Sequence, residues 1–81
     1  MRTEFLLLAQ YDGLVVIPLA RVCADYFPHL SPEKLKQKIA RGEIRLPLIA
    51  MEHSQKSFRG VHLSDLAAYI DARRKEAQKG M

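Results

Sequence analysis

The sequence predicts a mainly helical α+β fold, and three observations carry that expectation. Two segments of about ten residues, each opening on proline, hold helix-spaced apolar residues and are joined by the short connection Pro28-His29-Leu30-Ser31. A stretch of alternating apolar residues follows them, as a half-buried strand requires. A serine-led helical pattern then closes the chain.

Taken in order, Thr3 is placed to cap a short helix from Glu4 to about Tyr11, with Gly13 just past its end. The apolar residues from Phe5 to Ala9 are contiguous, so a short strand also fits there; the helix is favoured. Val15, Val16 and Ile17 form a β-branched run suited to a strand. Pro18 then opens a helix, whose first turn has no use for the missing N–H. Leu19, Val22, Cys23 and Tyr26 make one apolar stripe along it, and Pro28 stops it. Cys23 is read as a small core residue.

Ser31-Pro32-Glu33 combines a capping hydroxyl, a proline at the first helical position and an acid at the positive dipole end. The helix it starts spans 32–41 and stops at Gly42. Leu35 and Ile39 point to the core, while Lys34, Gln37, Lys38 and Arg41 share a different face. Beyond Gly42, Ile44, Leu46, Leu48 and Ala50 alternate, with Pro47 arguing for an edge strand or a bulge. The polar stretch from Glu52 to Ser57 turns the chain, and Val61-His62-Leu63 returns as a second strand. Ser64 caps a last helix carrying Leu66, Ala67 and Ile70, and the polar tail from Lys75 frays. The order helix, helix, hairpin, helix is that of a winged helix-turn-helix, with the wing at 52–60. Its length of 81 residues implies one domain: an N-terminal element at 1–14, the winged segment at 15–74 and a tail at 75–81.

The net charge of +4 is unevenly placed. Residues 1–33 carry Arg2 and Arg21 against four acids, for −2; residues 34–59 carry seven basic side chains against Glu43 and Glu52, for +5. Concentrated positive charge on the second helix and the hairpin fits a phosphate-backbone binder. In a major groove, lysine and arginine can read guanine and glutamine can read adenine. Lys34, Gln37, Lys38 and Arg41 are therefore the expected DNA contacts from the helix, and Gln55, Lys56 and Arg59 those from the wing. Each taken singly also reads as an exposed solubilising side chain.

Other chemistries find little support. His29, His53 and His62 lack metal-ligand spacing, and one cysteine neither completes a zinc site nor makes an intramolecular disulfide. The four glycines stand apart, so no phosphate-binding loop is present. No catalytic residue, cofactor site or metal site is expected. Tyr11, Tyr26, Phe27 and Phe58 could stack on single-stranded bases, yet three of these four fall where a small core wants aromatics. The single cysteine, the absence of a spanning segment and the missing basic leader point to the cytoplasm.

Several blocks resemble one known family: FLLLAQY at 5–11, IPL at 17–19, VCADYF at 22–27, RGEIRLPL at 41–48, SQKS at 54–57 and GVHLSDLAAYID at 60–71. They are similar to the pyocin activator protein PrtN family, from the N-terminus to about Arg74. The resemblance implies a transcription activator of pyocin (bacteriocin) genes, with relatives in prophages. It further implies binding to repeated elements of double-stranded promoter DNA, and a partner repressor that limits the activator's production until DNA damage. RNA polymerase and a second copy of the chain are further partners this reading admits. More distantly, 17–74 looks like excisionase and MerR-type winged domains, some of which bend DNA. Two alternatives therefore stand beside activation: an excisionase-like bending protein, and an interaction module that binds a repressor or polymerase subunit through part of the apolar stretch at 5–17.

Overall fold

The computed structural model describes residues 2–53 and 59–80. Among them the elements run α1 (Arg2–Gln10), β1 (Val16–Pro18), α2 (Leu19–Tyr26), α3 (Pro32–Ala40), β2 (Ile49–Ala50), β3 (Arg59–His62) and α4 (Leu63–Lys79). The fold is α+β and mainly helical. Its antiparallel sheet has the order β1-β3-β2, with Ile17 opposite Val61 and Ile49 opposite Gly60. Pro18 lies on an edge strand, where its missing N–H breaks no central ladder.

The core follows the apolar stripes. Leu19, Val22 and Cys23 of α2, Leu35 of α3, and Leu63, Leu66 and Ala67 of α4 close over Ile17 and Val61 of the sheet. Among the described residues no polar or charged side chain is buried. Tyr11 and Phe27 join the core and Tyr26 packs at its edge.

The N-terminal segment is a helix, but Thr3 is not its cap. It lies within α1 and its hydroxyl donates to Asp71 Oδ1 at 2.6 Å, so docking on α4 claims the group that local capping would have used. Ser64 Oγ likewise donates to the Glu4 carboxylate instead of capping α4. That role falls to His62, whose Nδ1 accepts the Ser64 N–H at 3.0 Å, and Leu63, expected in the strand, is already helical.

The alternation beyond Gly42 reports burial and not a long strand. Ile44 and Leu46 are buried, yet only Ile49–Ala50 pairs. Pro47 brings no donor, and the Leu46 N–H is taken by Ile44 O at 3.0 Å in a local turn. α4 continues through the expected polar tail to Lys79. Its last turns are built of the strong helix formers Arg, Lys, Glu, Ala and Gln, which need no core to stay helical in continuity with a docked helix.

Candidate functional site

The expected recognition surface is built from α2, its connection and α3. Phe27 N–H donates to Cys23 O and Leu30 N–H to Phe27 O, closing the turn between the helices. Cys23 Sγ lies within 3.5 Å of Phe27 O and 3.1 Å of Leu30 O, so the buried thiol pins that turn from beneath. Ser31 caps α3 by accepting the Lys34 N–H at 3.2 Å, as its position before Pro32 predicts. Leu35, fully buried, holds the helix down.

Lys34, Gln37 and Arg41 all lie on the solvent side of α3. Lys38 stands at the flank, its side chain 35% exposed and its ammonium 3.1 Å from Glu43 Oε1. Arg41 Nε is 2.8 Å from Glu43 Oε2. The helix end explains this clamp. Gly42 takes the left-handed conformation (φ +77°), with its N–H on Ile39 O and the Glu43 N–H on Lys38 O. This is a Schellman turn, which folds the second residue past the C-cap Arg41 back over the last turn. Glu43 thereby meets Lys38, a pair whose sequence separation gives no ordinary helical neighbour. The hydrogen bond from Lys38 and the nearby Arg41 charge hold the Glu43 carboxyl below its ordinary range.

The Lys38–Glu43 pair borders a shallow hollow of about 390 Å³ that also includes His29, Tyr69 and Arg73. Glu43 and Arg73 continue into a neighbouring hollow with Arg45. Sequence reasoning passed over Glu43, Arg45 and Arg73. The Arg-Gly-Glu run was the signal available for the first; nothing local brings the α4 arginine to the hollow that Lys38 borders.

Of the wing residues, Arg59 lies on β3 opposite Ala50 and is half-buried. Gln55 and Lys56 lie outside the described residues, as does Phe58. Among the described residues no group of His, Cys, Asp or Glu is placed to hold a metal ion, and no helix is long and apolar enough to cross a membrane.

No curated protein and no solved structure matches the chain. A family model described as pyocin activator protein PrtN matches residues 3–77. That match spans every element from α1 through most of α4 and includes the blocks whose resemblance was noted above, so the chain belongs to the pyocin activator protein PrtN family.

Proposed function

We propose that the protein activates pyocin genes by binding double-stranded promoter DNA as a winged helix-turn-helix. Family membership supports the activator role. The observation that carries the mechanism is the polar, cationic solvent face of α3: Lys34, Gln37 and Arg41 exposed, with Lys38 at its edge. Supporting it, the helix-turn-helix pair is followed by strands β2 and β3, to which β1 adds a third, an arrangement compatible with a wing beside a recognition helix. In this reading α3 enters the major groove and the 52–60 segment follows the backbone, with Gln55, Lys56 and Arg59 as its contacts.

Gel-shift titrations on promoter DNA upstream of pyocin genes, over several salt concentrations, test the reading. Specific DNA is expected to bind at least about 1,000-fold tighter than a scrambled duplex, with affinity falling steeply with salt. Equal binding of both duplexes would falsify sequence-specific activation. Unchanged activation in cells by the K34E/R41E variant would instead favour a regulator acting through a protein partner.

A further inference from the structure

α1 carries two apolar faces, and the core uses only one. Leu7 and Tyr11 are buried beneath it. On the opposite side Arg2, Phe5, Leu6 and Ala9 follow at i, i+3, i+4 and i+7 and are all exposed, Phe5 to 74% and Leu6 to 71%. The helix thus presents its two most exposed large apolar side chains side by side, on an element rigidly docked against α4 by the Thr3–Asp71 and Ser64–Glu4 hydrogen bonds. A shallow apolar groove of about 230 Å³, lined by Glu4, Phe5, Leu8 and Leu63, continues the patch on one flank.

We infer that this face of α1 pairs with the same face of a second copy, antiparallel about a two-fold axis. The face is complementary to itself. In an antiparallel pair, residues equally far from the axis on either side stand opposite one another. An axis at the level of Leu7 sets Arg2 against the partner's Asp12, Phe5 against the partner's Ala9, and the two Leu6 side chains beside each other. Phe5 meets a small side chain, the Leu6 pair makes an apolar contact at the axis, and each cation meets an anion. Arg2 and Asp12 make no ion pair within the described residues, so both charges remain available. Asp12 is held next to the last turn by the hydrogen bonds of Asp12 N–H to Ala9 O and Gly13 N–H to Leu8 O.

Phe5, Leu6 and Leu8, with Leu14 (39% exposed) and Val15 (50% exposed) beyond the helix end, present on the order of 400 Å² of apolar surface. That approaches the apolar share of the ~800 Å² per partner in a standard interface, and it lies in the range of weak, reversible association. A micromolar dimer is expected. The inference does not rest on DNA binding and is tested without DNA.

The test is sedimentation velocity at low salt from about 5 to 300 µM. The wild-type chain should pass from monomer to dimer over that range, and L6E should stay monomeric. R2E and D12K should each weaken the dimer about tenfold or more, because each homodimer then holds two like-charge pairs. Mixed together, R2E and D12K should restore the dimer. The heterodimer sets the two substituted side chains, opposite in charge, against each other and leaves Arg2 facing Asp12 at the second contact. Restoration on mixing excludes misfolding as the cause of the single-variant losses. A wild-type chain still monomeric at the highest concentration overturns the proposal and leaves the face to a different partner. A dimer unaffected by L6E, or a mixture no better than its components, overturns it equally.

Discussion

Tyr11 shows how one side chain ties two helices together. Its ring is buried at the end of α1, its hydroxyl donates to Asp25 Oδ2 of α2 at 2.6 Å, and the Arg21 guanidinium lies 4.8 Å above the ring. Burial, reinforced by the hydrogen bond to Asp25, pushes the phenol well above its ordinary value of 10.0. A raised pKa means the folded state favours the protonated phenol. Its contribution is therefore complete below pH 10 and is lost as pH climbs beyond it. Urea unfolding should show stability dropping above about pH 10, with the drop flattened in Y11F. At neutral pH Y11F should cost about 1–2 kcal/mol, since the Asp25 bond is lost. A Y11F profile that falls as steeply as wild type would show that other groups govern the alkaline loss. Glu43 acts at the same scale on the proposed interface, since it holds Lys38 and Arg41 at once. E43Q releases both and removes a negative charge, so gel shifts should show binding several-fold tighter, scrambled DNA gaining most. Unchanged affinities would mean the clamp does not compete with phosphate.

At the scale of the element, α3 depends on very few side chains. Leu35 is its one fully buried residue; Ile39 is half-buried, and the rest of the helix faces solvent or its flank. Truncating Leu35 to alanine leaves a cavity in the seam with α2 and should cost about 2–4 kcal/mol, measured as a shift in the urea midpoint. In a domain of this size that is a large part of the total stability. Both ends of α3 were legible beforehand, because Ser31-Pro32-Glu33 and Gly42 act within a few bonds of the backbone groups they satisfy. The ends of α1 and α4 were less so. Thr3 and Ser64 sit where capping residues belong, but their hydroxyls bond Asp71 and Glu4, at least sixty residues away in the chain. A local rule cannot weigh a partner that arrives only when the helices dock.

The whole molecule, about 44 × 28 × 19 Å, sets two surfaces on different elements. One is the cationic face of α3 with its Glu43 clamp; the other is the apolar face of α1 that points away from α4. The two proposals assign DNA to one surface and a second copy to the other. L6E and K34E are accordingly expected to separate the two properties: the first should lose the dimer in sedimentation, and the second should lose DNA affinity while still sedimenting as a dimer. Loss of both properties in either variant would show that the surfaces are coupled.

The sequence by itself determined the helices after the first, their apolar stripes, the place of the basic excess and the family, because periodicity, capping chemistry and short motifs are written along the chain. Only the tertiary structure decided that Ile44 and Leu46 are buried without pairing, that β1 joins β3 as an edge, and that Arg73 lines the same hollow as Lys38. It also revealed which half of α1 stays uncovered. Contiguous apolar residues declare that something will be buried but not on which side, and that choice belongs to the element that packs against them.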